Sequence, residues 1–207
     1  MSYSDFTLPR VQTEFGLTVQ TAADFFASTL PALIDPAFQT RLNHHTRLAL
    51  AINTEKARSE LLIAPVLAEL WQRDESKVSV FSGVPLDVDP DAGLVGRCDF
   101  LIGRPPQLHY VTAPLMVVVE AKNEDIAGGL GQCAAVMVGA QRFNRRQQTG
   151  IDTIHGCVSN GTEWKFLRLV STMLTIDLTE YHISQTERIL GVLLHIVGLL
   201  PGASAAA

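Results

Sequence analysis

The spacing of apolar positions changes several times along the chain, and each change predicts an element. Residues 11–17 read as a short strand, and residues 21–30 place Ala22, Phe25, Phe26 and Leu30 at helical spacing ahead of Pro31. From residue 43 to residue 71 the apolar positions Leu48, Ile52, Leu62, Val66 and Leu70 form a helical stripe, with Pro65 placed to kink it. At ~100° per residue, Glu55 and Ser59 fall within that stripe and Glu60 toward its edge. A carboxylate on the core side of a helix is unusual. It is either paired or snorkelling, or it looks into a cleft.

Beyond this helix the period becomes two. Residues 78–82, 86–89, 97–102 and 116–120 read as strands, broken at Gly83, at Asp91-Ala92-Gly93 and at Pro105-Pro106. Residues 123–131 read as a loop and 132–146 as a helix. Strands follow at 153–158, 164–170 and 173–178, the first two separated by Ser159-Asn160-Gly161, and an apolar helix closes at 184–200. This order predicts an α/β fold with a mixed central β-sheet flanked by helices. Gly128-Gly129-Leu130-Gly131 has neither G-x-G-x-x-G nor a following Lys-Ser/Thr pair, so it reads as a flexible loop and not as a phosphate loop.

Composition narrows the function classes. The 207 residues are 47% hydrophobic and 18% charged, below the usual charged share of about 25%, which suits one well-packed domain over residues 1–201 with a frayed tail at 202–207. A net charge of −5 excludes a general polyanion-binding surface. Arg142, Arg145 and Arg146 make the one basic cluster, read equally as a solvated helix end or as phosphate contacts. Three cysteines without C-x-x-C form neither a disulfide framework nor a zinc site, and the six histidines show no metal-binding spacing. Residues 1–10 lack a signal-peptide core, and the apolar run 189–200 is too short to span ~30 Å of bilayer. The expectation is a cytoplasmic protein with no membrane contact. The run 189–200 is read as a core helix, with a homodimer seam as the second reading.

The candidate chemistry lies in Val117-Val118-Val119-Glu120-Ala121-Lys122, an apolar strand that ends with an acid and a base on one face. In Arg97-Cys98-Asp99-Phe100-Leu101-Ile102, alternation groups Cys98, Phe100 and Ile102 and leaves Asp99 opposite. If the two strands pair, Asp99 approaches Glu120. Two adjacent carboxylates persist only when protonated, matched by Lys122 or bridged by a cation.

Asp99 and Glu120-Ala121-Lys122, preceded by a helix carrying Glu55 and Glu60, resemble the PD-(D/E)XK, or restriction-endonuclease-like, nuclease superfamily. The run from Asn53 to Pro65, the helix from Gln132 and the Ser159-Asn160-Gly161 … Trp164-Lys165-Phe166 hairpin are similar to the same domains. The resemblance covers roughly residues 45–170 and is nearest to small bacterial proteins without an established function. It implies that Asp99, Glu120 and the Ala121 carbonyl hold Mg²⁺ or Mn²⁺, that Lys122 serves the attacking water, and that Glu55 or Glu60 assists. It gives Gln132 a lesser catalytic role. Cys98 stands where the namesake motif has proline, and Val136 where recombination-type nucleases have tyrosine. The implied function is a Mg²⁺-dependent hydrolase of DNA phosphodiester bonds. The alternative is a catalytically silent nuclease-like module that binds nucleic acid or a protein partner.

Overall fold

The computed structural model describes residues 1–104 and 108–199. Pro105-Pro106, Leu200 and the tail at 202–207 lie outside the described residues.

Among the described residues, seven strands form one mixed sheet in the order β1-β7-β6-β5-β4-β3-β2. The strands are β1 (Thr18–Ala22), β2 (Ser79–Pro85), β3 (Arg97–Gly103), β4 (Leu115–Ala121), β5 (Thr153–Ser159), β6 (Glu163–Val170) and β7 (Met173–His182). β2, β3 and β4 are an antiparallel meander. Between β4 and its parallel neighbour β5 runs α5 (Ile126–Arg146), the crossover that a parallel pair requires. β5, β6 and β7 are antiparallel, and β1 adds a parallel edge to β7.

Each face of the sheet carries its own core. Phe100, Ile102, Val117, Val119 and Cys157 pack beneath α4 (Ala64–Arg73) and α6 (Thr186–Ile196). Leu101, Val118, Ile154 and Val158 pack beneath α5, with Tyr3, Phe6 and Val11 of the amino-terminal segment behind it. Every residue of β4 is buried, as expected for a central strand covered on both faces. α6 spends Ile189, Leu190, Val192, Leu193 and Ile196 on the core of its own chain. Among the described residues, no helix is long and apolar enough to cross a membrane.

Several local expectations give way to stronger local signals. Residues 11–17 are not a strand: α1 (Leu8–Phe15) begins with Pro9 in its first turn and ends at Gly16. The predicted helix at 21–30 is replaced by β1 and a turn, because Thr18–Ala22 pairs with β7. Residues 86–89 make a single bridge, Asp89 to Leu94, and no strand. Helix α5 starts inside the predicted loop, at Ile126, where the Asp125 side chain accepts from the Gly128 N–H at 2.8 Å.

The predicted long helix of 43–71 is interrupted. α2 (Pro36–Ile52) ends at Asn53, which adopts the left-handed conformation with φ 52°. Thr54 then caps α3 (Glu55–Arg58), its hydroxyl accepting from the Ala57 N–H at 3.2 Å. A π-helical turn, Ser59–Ile63, joins α3 to α4 just before Pro65, whose missing N–H leaves the regular helical ladder incomplete there.

Candidate functional site

The site forms where β3 begins and β4 ends. Phe100 pairs with Val119 across the two antiparallel strands, so Asp99 and Glu120 come next in register. The Ala121 N–H donates to Asp99 Oδ2 at 2.8 Å. Cys98 belongs to the α5-side core, whereas Phe100 and Ile102 belong to the opposite one, so the expected grouping of these three side chains does not hold. The strand's alternation breaks near Asp99.

Lys122 closes the site from the α5 side. Its Nζ donates to Glu120 Oε1 at 2.8 Å and to Gln132 Oε1 at 3.1 Å. Gly129, in the first turn of α5, makes room for the lysine stem: a Cβ there would stand 3.0 Å from Lys122 Cγ. Glu120 is only 1% exposed. Burial, reinforced by the neighbouring Asp99 carboxylate, pushes its carboxyl up to about 8 despite the pull of Lys122. Burial alone would lower the Lys122 ammonium, but the Glu120 carboxylate beside it outweighs this and raises it.

A cleft of about 230 Å³ opens beside Asp99 and Ala121, walled by Glu55, Ser59 and Glu60 on one side and Ser82 on the other. Both helix glutamates therefore reach the cleft wall, but both are exposed. The stripe argument for Glu55 does not survive, because the left-handed Asn53 resets the helical phase between Ile52 and Glu55. Glu60 forms an i,i+4 pair with Lys56 at 3.1 Å.

The structure overturns the metal-dependent reading. Among the described residues, no group of three or more His, Cys, Asp or Glu side chains is arranged to hold a metal ion. The two strand carboxylates have other partners. Asp99 accepts the Ala121 N–H, and Glu120 is matched by the Lys122 ammonium in place of a divalent cation. The expected Mg²⁺ or Mn²⁺ cofactor, and with it the Mg²⁺-dependent nuclease or hydrolase, is corrected accordingly.

The three arginines of the basic cluster are also engaged within the chain. Arg142 pairs with Asp89 at 2.5 Å and lies over the Phe15 ring. Arg145 pairs with Asp152 at 2.5 Å, and Arg146 donates to the Val88 carbonyl.

Two buried groups that hold the surrounding elements together gave no sequence signal. Arg58 is buried and donates to the Asn160 carbonyl at 2.9 Å, tying α3 to the β5–β6 turn. Asn144 binds both the N–H and the carbonyl of Leu115 at 2.8 Å, fixing the start of β4 to the end of α5. Polar residues on predicted helices read as solvated until the partner strand is placed. Compared with protein-family models and with the curated proteins, the chain matches none.

Proposed function

We propose that this chain is a catalytically silent nuclease-like module that acts by binding a protein partner. Its element order supports the restriction-endonuclease-like part of that reading: a leading helix, the antiparallel meander β2-β3-β4, the crossover helix α5, and β5 parallel to β4.

The observation that carries the silent reading is the Lys122 ammonium shared between Glu120 and Gln132. A buried acid neutralised by its own chain has no outstanding need for a cation. A protein is favoured over nucleic acid because most of the cations have partners within the chain. Arg142, Arg145, Lys165 and Arg73 are in ion pairs, Arg58 and Arg188 hold backbone carbonyls, and the net charge is −5. Exposed aliphatic side chains, Leu48 and Ile52 at 51% each, supply the kind of surface a protein covers.

Plasmid nicking and DNA-fragment retardation with Mg²⁺ or Mn²⁺ test this on the wild type and Lys122→Ala. Intact plasmid and unretarded DNA with both proteins are expected. Nicking by the wild type that disappears in Lys122→Ala would overturn the silent reading. Retardation without nicking would move the binding role to nucleic acid.

A further inference from the structure

The sheet has two edges, and they are built differently. At β2 the edge is blunted. Gly83 is left-handed with φ 63°, its carbonyl accepts from the Arg97 guanidinium, and Pro85 has no N–H to offer. β1 has none of these devices. Thr18-Val19-Gln20-Thr21-Ala22 carries no charge, no proline and no glycine, and it pairs with β7 along its whole length without a bulge. Thr18, Gln20 and Thr21 are exposed, and Val19 and Ala22 are half-buried.

The ladder fixes which backbone groups face outward. The Thr18 N–H donates to the Thr172 carbonyl at 2.9 Å, so Thr18 is turned toward β7. In a parallel pair the residues turned toward the neighbour alternate, which makes Gln20 and Ala22 the next two. Val19 and Thr21 therefore direct both their N–H and their C=O groups away from the sheet. Among the described residues, no hydrogen bond reaches these outward groups. An uncharged edge of this kind is a template for another strand, and folded proteins cover or blunt such edges.

We propose that β1 pairs antiparallel with β1 of a second copy, joining the two sheets across a two-fold axis at Gln20. In that register Val19 of one copy faces Thr21 of the other, and each such pair exchanges two N–H···O=C bonds. Every outward group of both strands is then used, because a two-fold at Gln20 interchanges the two residues whose groups are free. Both pairs set one β-branched side chain against another. Gln20 meets its own copy with no charge to repel it. The acids nearest in sequence, Glu14 and Asp24, are already held by Arg10 and by the Tyr181 hydroxyl. Leu178, 59% exposed, is the next residue of β7 beyond the Ala22–Asp177 pairing and gives apolar area at the end of the same seam. This inference goes beyond the protein-binding reading above and stands whichever way the nicking assay falls.

Such a ladder is short, so the dimer should dissociate on dilution. Sedimentation velocity of the full chain at rising concentration measures this, and amide hydrogen exchange locates it. A two-chain species is expected at high concentration, with the Val19 and Thr21 amides exchanging faster on dilution. The Gln20 and Ala22 amides, turned toward β7, should not follow. Thr21→Pro removes an outward donor from each copy and nothing from the β7 ladder, so it should fold, as judged by circular dichroism, and weaken dimerisation about tenfold or more. Gln20→Lys and Gln20→Glu should each weaken it severalfold by setting like charges directly opposite, and an equimolar mixture of the two should recover it. A chain that stays monomeric up to ~1 mM would overturn the proposal and leave the edge to a strand of another protein. A dimer that survives in folded Thr21→Pro, without concentration dependence at Val19 and Thr21, would overturn it and place the contact on another surface. If Thr21→Pro fails to fold, the charge mixture decides: an equimolar mixture no tighter than either variant alone would also overturn it.

Discussion

Lys122 Nζ lies 2.8 Å from Glu120 Oε1 at the buried end of β4, and Gln132 on α5 holds the same ammonium at 3.1 Å. Removing the lysine would leave a carboxylate in a dry site beside Asp99. Breaking a buried pair from one side costs about 3–5 kcal/mol. The cost depends on pH, because Glu120 can take up a proton. Its folded-state value, about 8, lies above the ordinary 4.5. The folded state therefore binds the extra proton over that window, and stability falls as pH rises through it. Lys122→Met should thus be more destabilising at about pH 9 than at about pH 6, as read by urea unfolding. Adding Glu120→Gln should restore most of the loss at the higher pH. Equal losses at both pH values would show that the pair does not govern stability here.

His155 on β5 should produce the opposite slope. It lies directly across from Arg168 on β6, and its ring lies 6.0 Å from that of Phe26. Burial, aided by Arg168 and His195, brings its imidazolium down to about 3 from 6.5. Its neutral form therefore stabilises the fold above about pH 6.5, and that contribution is lost as pH falls toward 3. His155→Phe should flatten the acid side of the stability curve by a few kcal/mol relative to the wild type. Parallel acid-unfolding curves for the two proteins would disprove the assignment.

How much of this arrangement the sequence reveals depends on the range of the interaction. The period-two runs ending at Ile102 and Glu120 predict neighbouring strands, and an antiparallel pairing is enough to bring Asp99 beside Glu120. The mixed sheet flanked by helices follows from the order of those runs. One residue explains why the helix expected over 43–71 is not continuous. Asn53 in a left-handed conformation breaks a periodicity that looks continuous from Leu48 to Leu70. Leu48 and Ile52 consequently face solvent, whereas Leu62, Val66 and Leu70 are fully buried. Arg58 and Asn144 were invisible for a different reason, since their partners Asn160 and Leu115 are distant in sequence.

Asn144 should be among the costliest polar positions to alter. Its amide satisfies both backbone groups of Leu115 in a fully buried setting. Losing it strands a donor and an acceptor, at about 1–3 kcal/mol for each group. Asn144→Ala should lower the unfolding free energy by roughly 2–4 kcal/mol. Hydrogen exchange at Leu115 should rise by more than at Val119, near the far end of the same strand. Uniform acceleration along β4 would mean that the side chain contributes only to global stability.

Gly131 tests whether the glycine-rich segment before Gln132 is there for packing. It lies within α5, and a Cβ would stand 2.5 Å from the Phe6 carbonyl oxygen and from the Thr7 backbone carbon. That contact brings the amino-terminal segment against α5, behind the face that carries Glu120 and Lys122. The opposing atoms are backbone, so they cannot rotate away as a side chain would, and α1 must move outward. Gly131→Ala should therefore destabilise by about 1–3 kcal/mol, although alanine is the better helix former by about 1 kcal/mol. A flexible loop would respond in the other direction, gaining stability as the unfolded chain loses freedom. Thermal unfolding of Gly131→Ala separates the two by sign: a lower midpoint follows from close packing, and a raised midpoint would refute it.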